Sequence, residues 1–150
     1  MSHCVIEVPV RFADCDPAGI VFYSHYFEWF DAACWSMFEA AGFGRRRLAE
    51  AYGIVGWPLI STESQFRSPA SEGDVLAVHA TVAHWGNSSF QVAYRVLRGE
   101  VLVCEGFERR IWAGRAPGDT RRLQPMRIPD EVRARLEPDA AQARNPDARS

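Results

Sequence analysis

The stretch Asp14-Cys15-Asp16-Pro17-Ala18-Gly19-Ile20-Val21-Phe22-Tyr23, together with the apolar segment after it, decides the fold of this 150-residue chain. A proline pushes the preceding residue out of the helical region, so Asp16 is expected to end an extended segment. Pro17 then begins a turn that Gly19 completes with a positive φ. The sequence therefore predicts a carboxylate held at a bend, immediately before a helix.

The segment after this bend is predicted to be one long helix, from Ser24 to Ala41. Ser24 is its expected N-cap and Gly42 its expected C-terminal stop. Apolar and aromatic residues fill most of its positions, interrupted only by Glu28, Asp31, Ser36 and Glu39. A helix that is apolar nearly all round is expected to be buried. Because charges recur along it and the apolar run is too short for a bilayer, protein is expected to surround it.

Composition and charge indicate one globular domain. Hydrophobic residues make up 47% of the chain and charged residues 24%, which is typical of soluble proteins. The formal net charge of −2 gives no long-range attraction to nucleic acid or to an acidic membrane. No window has the length of a membrane span and no secretory core begins the chain, so a cytoplasmic protein is expected.

The cysteines and histidines do not predict a metal site. Cys4, Cys15, Cys34 and Cys104 are scattered without any C-x-x-C pair, so free thiols are expected rather than disulfides or zinc ligands. No glycine-rich phosphate loop and no serine nucleophile motif is present either. The sequence therefore predicts no metal and no prosthetic group.

The second half of the chain changes from a helical period to a period of two. Gly53-Ile54-Val55-Gly56 is interpreted as a connector between a short helix over Arg45–Tyr52 and this half. A first strand is predicted near the start of the chain, over Cys4–Ala13. Four more strands are predicted in the second half: Pro58–Arg67, Val75–Trp85, Ser89–Arg98 and Val101–Ala113. Their hairpin-sized links predict an antiparallel meander. One face should be apolar, because Phe90, Val92, Tyr94 and Val96 alternate with polar residues.

The remaining segments are predicted to be a loop over Ala116–Gln124 and a closing helical turn over Pro129–Leu136. Residues 1–137 form the predicted domain, and residues 138–150 are expected to be a disordered tail. The fold class is thus α+β, with a long central helix wrapped by a five-stranded antiparallel sheet. Because one sheet face then needs cover, the chain is expected to form a homo-oligomer, either a dimer or a tetramer.

This architecture resembles the hotdog fold, and the Asp14 to Tyr23 motif resembles the 4-hydroxybenzoyl-CoA thioesterase family of Pseudomonas type. The likeness continues through the following residues and groups, over about residues 5 to 137: Trp29, Asp31-Ala32-Ala33, Gly53-Ile54-Val55-Gly56, Asp74-Val75-Leu76, Trp85 and Ser89-Phe90. The resemblance implies hydrolysis of an acyl-CoA thioester, with an aromatic or short-to-medium acyl group.

The resemblance also implies a set of site residues. The aspartate before the proline is the family's essential carboxylate, which here is Asp16. The backbone N–H at the position of Tyr23 polarises the thioester carbonyl. The family's active site lies at a dimer interface, and the CoA nucleotide crosses the surface of the partner subunit.

Physical chemistry supports this assignment independently. A helix N-terminus offers unpaired N–H groups and a positive dipole end to an oxygen that gains negative charge. Asp16 is positioned to attack the carbonyl as a nucleophile, giving an anhydride that water hydrolyses, or to act as general base for water. Both routes stay open. The competing interpretation makes Asp16 a turn carboxylate, and Asp14 and Asp31 are assigned structural roles.

The predicted substrate-binding residues are Gly19, His25, Trp57, Glu63, Ser88 and Ser89. His25 and Trp57 are expected to line or narrow the acyl pocket, with His25 interpreted as a substrate-orienting or capping residue rather than a partner of Asp16. Glu63 faces either the site or solvent. Gly86-Asn87-Ser88 replaces a basic cluster of the family, so Ser88 and Ser89 are candidates for phosphate or pantetheine, with charge supplied by some of Arg109, Arg110, Arg115, Arg121 and Arg122.

Two other functions remain open. One is hydration or dehydration of an enoyl thioester on the same fold, which usually recruits a catalytic histidine. The other is a non-catalytic acyl-CoA or acyl-carrier binding module.

Overall fold

The computed structural model describes residues 3–137, which form two antiparallel sheets, three α-helices and one short 3₁₀ helix (Phe12–Asp14). The predicted tail, residues 138–150, lies outside the described residues. The main sheet has the strand order β1-β4-β5-β6-β3 and the small sheet the order β2-β7-β8. The elements in chain order are β1 (His3–Pro9), α1 (Ser24–Ala40), α2 (Arg45–Tyr52), β2 (Ile54–Gly56), β3 (Leu59–Phe66), β4 (Val75–Trp85), β5 (Ser89–Arg98), β6 (Val101–Ile111), β7 (Ala113–Ala116), β8 (Asp119–Pro125) and α3 (Asp130–Leu136). The predicted α+β class with an antiparallel sheet is confirmed.

Helix α1 packs one stripe of side chains against the main sheet. The buried residues recur every three or four positions, as one face of an α-helix requires: Tyr26, Trp29, Phe30, Ala33, Cys34, Met37 and Phe38. Ala32 and Ala40 are exposed on the other side, so the prediction of burial nearly all round is wrong for the single chain. The helix begins without a side-chain cap, because Tyr23 and not Ser24 occupies the N-cap position. Gly42 follows the helix with a φ of +89°, as expected for its stop.

The inner face of the sheet is apolar, as predicted. Phe90, Val92, Tyr94 and Val96 of β5 are all at most 1% exposed. The ring of Phe30 on α1 stacks on that of Tyr94, with centroids 4.3 Å apart. The core therefore lies between α1 and the middle strands of the sheet.

Two details of the sheet differ from the prediction. Strand β3 pairs with β6 at the far edge, and β1 takes the place beside β4, so β3 does not belong to the β4-β5-β6 meander. The eight residues between β3 and β4 are enough for the chain to cross the end of the sheet. The prediction assumed instead that a short link joins strands that are neighbours in the sheet. The predicted connector at Ile54–Gly56 and the predicted loop over residues 116–124 instead contribute strands β2 and β8 to the small sheet.

Candidate active site

The Asp16 bend is a closed loop fixed by its own hydrogen bonds. Asp16 N–H donates to the Ile20 carbonyl at 2.8 Å, and Gly19 N–H donates to the Asp16 carbonyl at 2.9 Å. Gly19 has a φ of +78°, which a residue with a side chain rarely adopts. Asp16 Oδ1 accepts the Ala18 N–H at 2.8 Å. Within residues 3–137, Asp16 Oδ2 has no hydrogen-bond partner, so one carboxylate oxygen is available for chemistry.

Asp14 anchors this loop from beneath. Its carboxylate is 2% exposed and accepts hydrogen bonds from Arg11, at 2.8 Å from the backbone N–H and 3.1 Å from Nη2. Its carbonyl accepts the Phe22 N–H at 2.9 Å, which fixes the chain just before α1. Burial alone would raise the pKa of Asp14, but the Arg11 hydrogen bonds and charge hold that pKa below its ordinary value. Asp14 is therefore a charged structural anchor.

The entrance of α1 supplies an unpaired donor. His25 N–H donates to the Phe22 carbonyl and Tyr26 N–H to the Tyr23 carbonyl, at 3.1 and 3.2 Å. The Tyr23 N–H itself has no acceptor in the described part of the chain. A free N–H at the positive end of a helix dipole suits an oxyanion.

A cavity of about 500 Å³ brings these groups together. Its apolar wall consists of Ile20, Val21, Phe22, Tyr23, Tyr26 and Phe66, and its polar lining includes Asp16, Arg67 and Ser68. The loop after β3 reaches this cavity because Val21 N–H donates to the Ala70 carbonyl at 2.8 Å. The volume lies in the range of small-molecule sites, and the wall is mainly aromatic.

Two predicted pocket residues lie away from this cavity. His25 Nδ1 is 3.1 Å from Glu28 Oε2 and 4.0 Å from Asp14 Oδ1, so the histidine faces two other carboxylates and not Asp16. Trp57 is 5% exposed and stacks on Trp35 with ring centroids 3.9 Å apart. Trp57 does not line this cavity in the single chain, so its expected role in narrowing the acyl pocket stays a prediction.

The remaining predicted contacts are also elsewhere. Glu63 is exposed on β3 and lines a separate surface groove with Phe107 and Arg109. The turn before β5 packs on the link between β6 and β7, where the Ser88 carbonyl accepts the Trp112 N–H at 2.8 Å. Ser89 begins β5 and is half-buried. None of Glu63, Ser88 and Ser89 lines the Asp16 cavity, so any role for them in binding stays a prediction.

Of the candidate arginines, Arg110 is unavailable for phosphate. It is 4% exposed and pairs with Glu108 at 2.7 Å and with Asp31 at 2.9 Å. Arg115 donates to the Thr120 carbonyl in the small sheet. The sequence offered no reason to single out Arg67, which is one of the cavity-lining residues and whose guanidinium pairs with Glu105 at 2.9 Å.

Tyr26 and the segment 66–69 line the cavity but were not identified from the sequence. Tyr26 has the pattern of a core aromatic, and the segment, which ends β3 and begins the loop after it, lies about 50 residues from Asp16 in sequence. Only the crossing of the chain after β3 brings them to the helix entrance.

Three further properties concern the described residues alone. No helix in residues 3–137 is long and apolar enough to cross a membrane. No group of three or more histidine, cysteine or acidic side chains in that range is arranged to hold a metal ion. All four cysteines are free thiols, as predicted.

Residues 10–136 match the model of the thioesterase-like superfamily, and the chain belongs to that family. The predicted family resemblance is therefore confirmed.

The chain is 36% identical to 4-hydroxybenzoyl-CoA thioesterase of Pseudomonas sp. (strain CBS-3) over 126 residues, which cover 80% of this chain and 87% of that protein. It is 28% identical to 1,4-dihydroxy-2-naphthoyl-CoA hydrolase of Synechococcus sp. (strain WH7803), over 85% of this chain and 84% of the relative. A crystal structure of an aspartate-to-asparagine mutant of 4-hydroxybenzoyl-CoA thioesterase, in complex with 4-hydroxybenzoyl-CoA, matches with a TM-score of 0.83 at 30% identity. That match covers 91% of this chain and 99% of the crystallised chain.

Proposed function

We propose that this protein hydrolyses an acyl-CoA thioester to a free acid and CoA, with Asp16 as the catalytic carboxylate and the Tyr23 N–H as the oxyanion donor. The observation that carries the proposal is their position at one aromatic-walled cavity, with Asp16 Oδ2 and the Tyr23 N–H both unpaired among residues 3–137.

In this mechanism the thioester carbonyl oxygen accepts the Tyr23 N–H and gains negative charge as the carbonyl is attacked. In one route Asp16 Oδ2 attacks the carbonyl carbon, CoA leaves as the thiolate, and water then hydrolyses the resulting acyl anhydride. In the other route Asp16 Oδ2 removes a proton from a water molecule that attacks the carbonyl carbon, and CoA again leaves as the thiolate. A backbone donor of this kind contributes roughly 3 to 4 kcal/mol to acyl transfer. The Asx turn at Oδ1 orients the carboxylate without occupying both oxygens.

An aromatic acyl group is the favoured substrate, with short-to-medium acyl groups as the alternative. The rings of Phe22, Tyr23, Tyr26 and Phe66 give the cavity flat apolar walls that suit stacking on another ring. The relatives named above act on 4-hydroxybenzoyl-CoA and 1,4-dihydroxy-2-naphthoyl-CoA, both of which have aromatic acyl groups.

The active form is proposed to be a homo-oligomer. Strand β3 is an edge of the main sheet and carries Leu59, Ile60 and Phe66 at 48 to 51% exposure. An open edge with exposed apolar side chains is prone to pair with another chain. Because Phe66 also lines the Asp16 cavity, a second copy on this edge would lie over the site.

The test is thiol release from a panel of benzoyl, phenylacetyl, short and medium acyl-CoAs by wild type and Asp16→Asn. The asparagine side chain still has one oxygen that can accept the Ala18 N–H. The loop is therefore retained while the carboxylate is lost. We expect kcat to fall by roughly 10²- to 10⁴-fold. Asp119→Asn is a matched control, since Asp119 Oδ1 likewise accepts the N–H of the residue two positions on, at 2.9 Å, at the exposed start of β8.

Equal rates for wild type and Asp16→Asn on every accepted thioester would overturn the proposal. Saturable acyl-CoA binding by wild type without thiol release over hours would favour a binding module. Loss of enoyl-thioester absorbance without free thiol would favour a hydratase.

A further inference from the structure

The His25 side chain links the first turn of α1 to Asp14, the anchor of the preceding loop. Its Nδ1 lies 3.1 Å from Glu28 Oε2, one turn further along the helix, and 4.0 Å from Asp14 Oδ1. Its ring stacks on that of Trp29 and meets that of Phe22 edge-on, with centroids 6.2 and 6.3 Å away. Because the side chain is 24% exposed, its neighbours hold it in place while it still exchanges protons with water.

His25 is connected to the proposed reaction through the backbone, since it is not one of the cavity-lining residues. The Phe22 N–H donates to the Asp14 carbonyl at 2.9 Å, and the His25 N–H donates to the Phe22 carbonyl at 3.1 Å. The Tyr23 N–H thus belongs to a short segment with both ends tied to Asp14. A backbone hydrogen bond ties the end at Phe22, and the imidazole ties the end at His25.

The contact between His25 and Asp14 depends on the charge of the imidazole. A carboxylate only accepts hydrogen bonds, so Nδ1 carries a proton and donates it to Glu28. A neutral ring can keep that hydrogen bond. The Asp14 oxygen at 4.0 Å is too distant for a second one and is attracted only by a positive charge. Histidine ordinarily changes its charge between about pH 5 and 8, so this link should strengthen as pH falls through that range.

The charged groups near His25 come from both segments that it joins. Glu28 lies on α1 and is exposed, so solvent weakens its attraction for the ring. Asp14 ends the 3₁₀ helix and is buried, so its attraction is screened less. Arg11 lies across Asp14, with Nη2 3.1 Å from the same Oδ1, and competes for that oxygen. Among residues 3–137, Asp14 and Glu28 are the carboxylates within 4.0 Å of the His25 ring nitrogens.

We propose that His25 is a positioning residue, whose charged ring holds the first turn of α1 against Asp14 and thereby aims the Tyr23 N–H at the oxyanion. This inference rests on the proposed thioesterase function and adds to it a pH dependence that arises outside the Asp16 cavity. Loss of the charge loosens one end of the segment that carries the donor. Because the donor acts on charge that develops in the transition state, kcat should fall while KM stays nearly unchanged.

The experiment measures kcat and KM of wild type and His25→Gln between about pH 5.5 and 8.5, with the acyl-CoA that wild type hydrolyses fastest. Glutamine has an amide that can donate to Glu28 but carries no charge at any pH. We expect wild-type kcat to fall roughly 10-fold as pH rises across this range, a part of the loss that follows complete removal of such a donor. The kcat of His25→Gln should be independent of pH and close to the wild-type value at the alkaline end.

His84→Gln is the matched control, because His84 is an exposed histidine on β4 and is not one of the cavity-lining residues. Its pH profile should be that of wild type. Glu28→Gln is a second test, which keeps the histidine and changes an exposed residue that is compatible with folding. Without this carboxylate the charged ring is attracted less, so the fall in kcat should begin at a pH lower by a few tenths of a unit.

A wild-type kcat that stays constant over this range, or a fall of equal size in His25→Gln, would overturn the role of His25 and leave the thioesterase function in place. An unshifted fall in Glu28→Gln would contradict the dependence on charge. A change confined to KM would show that His25 acts on substrate binding and not on the donor. Absence of thiol release by wild type from every substrate would instead count against the proposed function, on which this inference rests.

Discussion

Two carboxylates two residues apart have opposite environments in this protein. Asp14 is buried and receives several hydrogen bonds from Arg11, whereas Asp16 is half-buried and keeps one oxygen unpaired within residues 3–137. A carboxylate that is saturated with donors is a poor base or nucleophile, and one with a free oxygen is available. The division of roles follows from these contacts rather than from residue type.

Asp14→Asn is predicted to lower the free energy of unfolding at neutral pH. That free energy should also fall less on acidification in Asp14→Asn than in wild type. The pKa of Asp14 is lower in the folded chain than in the unfolded one, so its contribution is present above about pH 4 and is lost as pH falls below that value. Because the Arg11 side chain is 74% exposed, solvent screening keeps this contribution to the free energy of unfolding small. Urea unfolding at several pH values between 2 and 7 measures it.

The difference in the free energy of unfolding between wild type and Asp14→Asn should narrow as pH falls towards 2. Glu28→Gln controls for the loss of a nearby carboxylate, since Glu28 is exposed and contacts His25. A constant difference across the whole pH range would contradict the electrostatic account of Asp14.

At the scale of elements, α1 is tied to the main sheet by a buried polar network. Arg110 on β6 donates to Glu108 Oε2 from Nε at 3.1 Å and Nη2 at 2.7 Å. Its Nη1 reaches Asp31 of α1 at 2.9 Å, and the Tyr94 hydroxyl donates to Glu108 at 2.9 Å. Burial opposes a charged Arg110, but its acidic neighbours outweigh this effect and raise its pKa. The network therefore fixes α1, and with it the Tyr23 N–H, against the sheet.

The sequence predicted single elements well where the signal was local. The bounds of α2, β4 and β5 agree with the prediction, because glycine turns and a clean alternation of apolar residues define them. The place of β3 was missed, since strand order depends on long-range pairing with β6. The Asp16 loop could be found from Asp-Pro and Gly19, but the Tyr26 and Arg67 contacts depend on how two distant segments meet.

Removing both members of the buried Glu108–Arg110 pair is predicted to cost less than the sum of the two single removals. Glu108→Gln and Arg110→Met should each cost about 3 kcal/mol, because each leaves buried polar groups of the other residue uncompensated. The double variant should cost clearly less than the sum, since Asp31 is 47% exposed and can be hydrated. A double-mutant cycle in urea measures the coupling, and additive costs would contradict it.

At the scale of the whole molecule, the Asp16 cavity lies beside an open sheet edge. Strand β3 pairs with β6 on one side, and in the single chain its other side meets no strand among residues 3–137. Strand β1, the other edge, carries only Val5 among its large apolar residues at more than 40% exposure. The apolar character of β3 and the nearness of Phe66 to Asp16 favour β3 as the edge at which two copies pair and complete the cavity.

Ile60→Lys is the substitution that tests this arrangement. Ile60 is 48% exposed on β3, so lysine is tolerated in the single chain but would place a charge in the proposed interface. We expect the dissociation constant of the oligomer to rise by roughly 100-fold or more. Thiol release should fall at protein concentrations where light scattering shows monomers, and recover as the concentration is raised.

Leu123→Lys is the control, since Leu123 is 41% exposed on β8 of the small sheet. If Ile60→Lys is monomeric and fully active, pairing at the β3 edge is not needed for activity. If its oligomeric state is unchanged, the interface does not include Ile60.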